Sequence, residues 1–592
     1  MQSLSDVLQR STAILLAHAV HLHFSPEIVR TGDISVTGDG FYCDFDLPRP
    51  IRPDDLEKID NQMRRFIQDD LPLQAAQVDG QQVEEMLVAL GETLLCERLP
   101  SKQSVDVVDV CSHGPFVTLS EGDHVESAGQ IAAFRLLTTG AVYWKGDAKS
   151  LSLQRIHGFA SASVDDLNGH LAYLEESKRR DHRKLGPELD LFLFLDEAPG
   201  MPVYLPGGLI IRTQLEQFER DLQRAAGYQE VRTPLMMNRR LWEESGHWEH
   251  YRDNMYFIDV EDGAPVATEE SDGVGGGGGG GARYALKPMN CPGHMLIYKR
   301  RPHSWRDLPV RLSEHGQVHR HELSGALHGL LRVRTFTQDD AHLFVRPDQI
   351  ESEINSVIRL IDQVYKVFGF TVEVELSTRP ADSMGSDAEW TQAETSLANV
   401  LKALDLAYRI NPGDGAFYGP KIDFHIRDAL GRRWQCATIQ LDFQMPEKFD
   451  LEYIGENNER LRPVVIHRAI FGSVDRFLGI LTEHYAGVFP LWLAPEQVRV
   501  LPVASAFVSY AKAVVAALTT HGLRASVDAR DEKLGYKIRD ASVHKVPYVV
   551  VVGAAEAANW TVSVRSRAGR LQENMPLHDL IARAEAQVAS RL

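Results

Sequence analysis

The sequence predicts a multidomain α+β protein, on three observations. Its 592 residues are enough for about three or four domains. Short alternating strands are mixed with amphipathic helical patterns over most of the chain. Near Pro490–Pro495 the texture changes to Val- and Ala-rich strands separated by helices, the pattern of an α/β domain.

Residues 1–170 combine strands such as Phe41–Leu47 with helical patterns such as Asp55–Gln68, giving an α+β domain. Residues 171–190 contain Glu175-Glu176-Ser177-Lys178-Arg179-Arg180-Asp181-His182-Arg183-Lys184. They predict one charged helix linking two domains. Residues 191–490 alternate helices and strands and hold the strongest motifs. In residues 491–592 the strands Val498–Val503 and Tyr548–Val552 alternate with the helices Tyr510–His521 and Leu580–Leu592, which predicts a mostly parallel sheet. Gly275–Gly281 is an unbroken run of seven glycines. It cannot be the interior of a helix or strand, because glycine loses the most backbone entropy on ordering. It reads as a flexible loop, or as a placeholder or engineered segment.

Five cysteines, an odd and sparse set, predict a reducing compartment and no disulfide framework. No apolar run approaches the ~18 residues that span a bilayer. The N-terminus has no basic stretch ahead of Ala13–Val20, and His18 interrupts that apolar run, so no signal peptide is expected. The expected compartment is the cytoplasm. The net charge of −19 argues against a uniformly basic nucleic-acid binder. Binding needs only a local basic face, however. Residues 491–592 carry 13 Lys and Arg against 9 Asp and Glu.

The chemistry concentrates in the middle. Arg320-His321-Glu322 ends one segment, and a loop with Gly325 and Gly329 follows. A second extended segment, Leu331–Phe344, then places Arg332, Arg334, Phe336, Gln338, Asp340 and His342 on one face at strand period. Arginine forks suit phosphate oxygens, and Phe336 offers a ring for a flat base. Val464–His467 reads as a buried strand that turns through Gly472 into a helix carrying Arg476. Cys291 lies in Lys287-Pro288-Met289-Asn290-Cys291-Pro292-Gly293-His294. With His342 and His467 it supplies one thiolate and two imidazoles, an open zinc site whose fourth position is free for a substrate.

These residues resemble a known family. Thr233-Pro234 after a helix, the Arg320–Glu322 strand pair and Gly472–Arg476 look like the three signature motifs of class II aminoacyl-tRNA synthetases. The stretches around Cys291, Phe336–His342, Gly415–Lys421 and His467 are similar to those of threonyl-tRNA synthetases. The resemblance covers essentially the whole chain. It implies a class II antiparallel-sheet catalytic core, an α+β editing-like domain and an α/β anticodon-binding domain. It also implies an enzyme that activates L-threonine with ATP and passes it to tRNA(Thr), and a homodimer through the Pro234 motif. One Zn2+ per chain, held by Cys291, His342 and His467, would bind the amino and hydroxyl groups of threonine. Asp340 would accept the hydroxyl proton, with Gln338 and Tyr418 completing the pocket. Arg320 would hold the α-phosphate of ATP and Arg476 the γ-phosphate, with Mg2+ assisting. Glu322 and Phe336 would meet adenine, and Gln440 and Arg332 would line the same site. Arg539, Glu556 and Arg565 fall where the family reads anticodon bases, and Asp531 stands at a usual asparagine.

The chain also departs from the family. It begins at what would be the editing domain, without the short ubiquitin-like domain that usually precedes it. The editing pair H-x-x-x-H reads Ile14-Leu15-Leu16-Ala17-His18. The C-x-G-P-H stretch reads Cys111-Ser112-His113-Gly114-Pro115-Phe116. His113, His21 and His23 lie nearby as substitutes. Editing of seryl-tRNA is therefore expected to be weak or absent. His321, Leu323, Thr335 and Ala437 also differ from the usual residues. Met445 replaces a common leucine in a wall that borders a cavity used by natural inhibitors. Together these departures suggest a second, inhibitor-resistant copy of the enzyme. The alternative is a non-catalytic synthetase-like protein that binds tRNA or senses threonine. Loss of a site residue would mark such a protein, and none is lost.

Overall fold

The computed structural model describes residues 4–99, 107–147, 149–260, 282–567 and 572–591. The glycine run Gly275–Gly281 lies outside them. The chain divides into two compact units, residues 1–176 and 177–592.

In the first unit the helix Leu4–Phe24 is buried along much of its length. It shares an apolar core with strands of an antiparallel four-stranded sheet, ordered Arg30–Thr37, Gly40–Asp46, Ser152–Ser161, Ala133–Tyr143. The amphipathic helix Pro53–Gln68 contributes Ile59, Met63 and Phe66 to that core. A second, three-stranded sheet carries Cys111 and His113 on the strand Val107–His113. The predicted single helix over 171–190 is broken. Val164–Arg180 ends before Asp181, whose extended backbone and side chain cap a new helix, His182–Glu188. An Asp at this point satisfies the free N–H groups of the following helix better than it extends the previous one.

The second unit is built on an eight-stranded sheet. Its order is Gln229–Glu230, Val310–His319, Thr335–Val345, Val464–Ala469, Arg433–Asp442, Lys421–Arg427, Thr371–Ser377, Tyr408–Asn411. The outermost pair at each end is parallel, and the rest are antiparallel. Side chains alternate across it. Ala341, Leu343, Ile466, Ala437, Ile439 and Leu441 face the helix Ile350–Phe368 and the main core. Their neighbours in sequence face the other way and form the site. The second extended segment is shorter than the sequence implies. The strand begins at Thr335, so Arg332 and Arg334 sit in the preceding loop. The loop holds them there: the Arg334 N–H donates to the Gly200 carbonyl and the His328 N–H to the Arg332 carbonyl.

In residues 498–576 the strand order is Ala525–Val527, Val498–Pro502, Tyr548–Val552, Thr561–Ser566, Gln572–Pro576. The first three strands are parallel, Thr561–Ser566 runs antiparallel to them, and Gln572–Pro576 pairs antiparallel with Thr561–Ser566, so the sheet is mixed rather than mostly parallel. The helix Ala554–Asn559 between Tyr548–Val552 and Thr561–Ser566 has six residues, too few for the crossover that a parallel return needs.

Candidate metal and nucleotide site

The antiparallel register builds the centre of the site. His342 lies directly opposite His467, and His467 directly opposite Gln440, so one row crosses three strands. Cys291 enters from the first residue of the helix Cys291–Lys299, where the helix dipole favours a thiolate. The ligand atoms of Cys291, His342 and His467 all lie within 4.8 Å of one another, and all three residues are buried.

The hydrogen bonds decide which nitrogen of each imidazole is free. His467 Nε2 lies 2.8 Å from Asp442 Oδ2. His342 Nδ1 lies 2.8 Å from His294 Nδ1, and His294 Nε2 lies 3.1 Å from Glu314 Oε2. His342 Nε2 is buried with no partner. One proton arrangement satisfies this chain: His342 donates from Nδ1, His294 donates from Nε2 to the carboxylate, and His342 Nε2 keeps a bare lone pair. That is the state a metal ligand needs, oriented by a carboxylate behind it. Glu314 also accepts from Lys287 Nζ at 2.9 Å and from the Thr233 N–H at 2.9 Å. Burial works to raise its carboxyl, but the bonds from His294 and Thr233 and the Lys287 charge outweigh it and hold it at about 2.

Burial, with Asp340 and Asp442 adding, pushes the Cys291 thiol well above its ordinary value. Burial, with His467 and His294 adding, pushes His342 well below its own. A bound dication reverses the first effect and profits from the second, because it needs a thiolate and a neutral imidazole. The donor set, the orphaned lone pair and the three-residue count therefore fit zinc with one position open.

That open side faces a cavity of about 360 Å3 that includes Gln338, Asp340, Tyr418 and Gln440 in its lining. Asp340 Oδ2 accepts from Asn290 Nδ2 at 3.1 Å, and burial raises its carboxyl. The Tyr418 hydroxyl donates to Gln440 Oε1 at 2.6 Å. A second cavity of about 450 Å3 is lined by Glu322, Arg332, Phe336 and Arg476. Arg320, Gln338 and Gly472 line both, so the two adjoin. The Arg320 guanidinium lies 5.1 Å from the Phe336 ring centroid. Arg332 Nε donates to Glu322 Oε2 at 2.9 Å. Gly472 has φ +77 and no room for a Cβ beside the Cys436 carbonyl, so only glycine makes this turn into the helix Val474–His484. The Ser473 side chain caps that helix at the Arg476 N–H, which sets Arg476 in the first turn with its Nε buried and unpartnered.

The tRNA synthetase class II core domain (G, H, P, S and T) matches residues 279–485, an anticodon binding domain matches 497–587, and the threonyl and alanyl tRNA synthetase second additional domain matches 108–157. Threonine–tRNA ligase 2 of Bacillus subtilis (strain 168) is 52% identical over 586 residues, covering 99% of this chain and 89% of that protein. The chain belongs to the threonyl-tRNA synthetase family. The threonine–tRNA ligase of Acetivibrio thermocellus is 48% identical over 98% of this chain and 88% of its own length. Among solved structures, the RNA binding domain of threonyl-tRNA synthetase from Cryptosporidium parvum Iowa II has a TM-score of 0.63 at 40% identity, over 69% of this chain and 98% of its own.

His18 Nδ1 and His113 Nδ1 are 2.8 Å apart, so His113 does reach the surviving histidine. The His18 ring stacks with Phe66 at 4.6 Å and with Phe116 at 5.4 Å. Burial, with His113 and His21 adding, lowers His18 to about 4, and burial raises the Cys111 thiol to about 11. Ile14 is fully buried in the core. His23 is engaged by Asp55 at 2.8 Å and His21 by Thr31 at 2.9 Å. Arg565 pairs in register with Val549, which packs against the helix Leu534–Val543 that carries the exposed Arg539. Glu556 accepts from Ser563 at 2.9 Å, and Ser563 shares a strand face with Arg565. All three predicted anticodon residues thus lie on one side of that sheet. Asp531 is exposed. Met445 is fully buried in the cluster that contains Cys291, Phe344 and Val465. Among the described residues, no helix is long and apolar enough to cross a membrane.

Sequence reasoning missed His294, Glu314, Lys287, Asn290 and Asp442. Three of them stand in the quoted stretch Lys287–His294 itself. Their signal was present, but an outer partner becomes visible only once its ligand's second nitrogen is located.

Proposed function

We infer that this chain is a threonine–tRNA ligase that activates L-threonine with ATP and transfers it to tRNA(Thr). The observation that carries this reading is that the cavity beside the Cys291–His342–His467 cluster adjoins the arginine-lined cavity and shares Arg320, Gln338 and Gly472 with it. An amino acid at the first would present its carboxylate to the second.

In this reading Cys291, His342 and His467 hold zinc. When bound, zinc supplies a Lewis acid that takes the amino and hydroxyl groups of threonine. Asp340 accepts the hydroxyl proton, and Tyr418 and Gln338 close the pocket around the side chain. A pocket that demands a polar group rejects valine far more strongly than an apolar pocket rejects an isostere. Arg320 neutralises the α-phosphate at which the carboxylate attacks, and Arg476 holds the γ-phosphate. Phe336 stacks on adenine, Glu322 contacts its edge, and Arg332 and Gln440 complete the lining. Attack at phosphorus is in-line displacement with pyrophosphate leaving, and Mg2+ accompanies ATP. The residues contribute position and charge rather than acid–base chemistry. Arg539, Glu556 and Arg565 read the anticodon, and the protein works as a homodimer in the cytoplasm. Four parts carry these tasks: residues 1–170, the linker 171–190, the catalytic part 191–490 and the anticodon part 491–592.

Serine also carries the hydroxyl, so this pocket rejects it poorly. With its basicity lowered by burial and its Nδ1 engaged by His113, His18 is a weak base for water attack, and we propose that the N-terminal unit serves tRNA binding more than proofreading. Two assays test the reading. Threonine-dependent ATP–pyrophosphate exchange is expected from the wild-type protein and lost in Cys291→Ser. Absence of exchange from the wild type would favour the non-catalytic alternative. Hydrolysis of Ser-tRNA(Thr) at the rate of a proofreading enzyme would overturn the second statement.

A further inference from the structure

His182 is fully buried and lies outside every family signature described above. Its Nδ1 is 2.5 Å from Glu483 Oε1, and that oxygen also accepts the His182 N–H at 3.1 Å. Its Nε2 accepts the Leu330 N–H at 3.0 Å. A backbone N–H can only donate, so Nε2 carries the lone pair and Nδ1 the proton. Glu483 Oε2 accepts from Arg432. The Arg180 guanidinium donates to the Glu483 and His484 carbonyls at 3.2 and 2.7 Å. Asp181, His182 and Glu483 bring possible ligand atoms within 4.8 Å of one another. Both imidazole nitrogens are engaged, and Asp181 Oδ2 is held by Arg183 at 2.6 Å, so the cluster is a hydrogen-bonded knot rather than a cation site.

The loop seated on this knot belongs to the nucleotide cavity. Gly329 has φ +51, and a Cβ there would fall on the His182 ring. Leu330, Leu331 and Arg332 follow at once and line the cavity with Glu322, Phe336 and Arg476. Arg476 stands at the first turn and Glu483 at the last turn of the same helix, Val474–His484. One imidazole therefore ties the loop carrying Arg332 to the helix carrying Arg476.

We propose that His182 is a positioning residue for ATP: it fixes the 328–332 loop against the Arg476 helix, so that both arginines meet the polyphosphate in one geometry. This goes beyond the ligase reading and rests on it only in naming ATP as the occupant. His182 touches no substrate in this account. Its loss should weaken ATP binding while leaving the threonine pocket alone, because a small misplacement of binding groups is enough to cost an order of magnitude.

The test uses the full chain and three variants. His182→Asn keeps a donor toward Glu483 and drops the acceptor for Leu330. His182→Ala removes both. Gly329→Ala leaves His182 in place and forces the loop off its ring. In pyrophosphate exchange, His182→Asn and Gly329→Ala are expected to raise KM for ATP about tenfold, with KM for threonine and zinc content unchanged. His182→Ala should do at least as much and lower Tm. ATP affinity is also measured directly by calorimetry, so the proposal is tested even if the wild type shows no exchange, a result that would sink the ligase reading alone. ATP affinity within twofold of wild type in both folded variants overturns the proposal. So does a parallel rise in both KM values, which would indicate general loosening.

Discussion

Replacing His294 with Ala should loosen zinc without touching a ligand. His294 is fully buried and stands between His342 Nδ1 at 2.8 Å and Glu314 Oε2 at 3.1 Å. Its removal leaves the His342 Nδ1–H unpartnered in a dry site, which costs about 1–3 kcal/mol. It also takes away the group that orients the ring and raises its basicity, losses that typically weaken a metal about 10- to 100-fold. The first cost falls on folding with or without metal, so the second sets the expected loss of zinc affinity, at about 1.4 kcal/mol per tenfold. The assay is competition for zinc against a chromophoric chelator at fixed pH, with metal content checked by mass spectrometry. His294→Gln, which can accept from His342 and donate to Glu314, should recover most of the affinity. His303→Ala is the control. His303 is also buried, and it bonds the Tyr298 carbonyl at 3.0 Å, away from the ligands; the variant should lose stability and keep its zinc. A zinc dissociation constant for His294→Ala within twofold of wild type would show that the chain behind His342 does not orient it.

Other outcomes follow from the same structure. Lys287 and Glu314 form a buried ion pair at 2.9 Å, so Lys287→Met should destabilise residues 177–592 by about 3–5 kcal/mol in urea unfolding, and adding Glu314→Gln should recover part of the loss. His18 and His124 are held down to about 4 by burial, against 6.5 for a free histidine. Between those pH values an unfolded chain binds more protons than the folded one. This share of stability is complete above pH 6.5 and is lost as pH falls toward 4. Tm of the first unit should therefore fall through that window, and His18→Phe should flatten the fall. Met445→Leu refills the wall beneath Cys291 with the family's usual branched side chain. It should increase sensitivity to natural threonyl-tRNA synthetase inhibitors several-fold in exchange assays, and an unchanged inhibition curve would remove Met445 from any resistance role.

Much of the site was legible in the sequence because its residues sit at strand period. Phe336, Gln338, Asp340 and His342 are spaced by two, and a strand has no choice but to turn them to one face. His467 could be named from its own motif. That it lies directly across from His342, more than a hundred residues away in sequence, and next to Gln440 is a matter of register between strands. The start of the strand at Thr335 was not legible, because Arg332 and Arg334 continue the alternation while their backbone is bound elsewhere. The antiparallel half of the C-terminal sheet was missed for a related reason: Val-rich strands look alike in either direction.

The sequence by itself determined which atoms can do chemistry here: one thiol, two imidazoles, a set of arginines and the carboxylate of Asp340. It also determined that Ile14 and Phe116, which carry no acid–base group, stand where the resemblance expects histidines, since no fold restores a side chain that is not encoded. Only the tertiary structure decided which nitrogen of His342 is free, because that depends on His294, Glu314 and Lys287 meeting behind it. It also decided that His182 rests under Gly329 and Leu330. Periodicity reports which face a side chain is on. Hydrogen-bond direction and burial depend on partners brought together from distant parts of the chain, and those are properties of the fold.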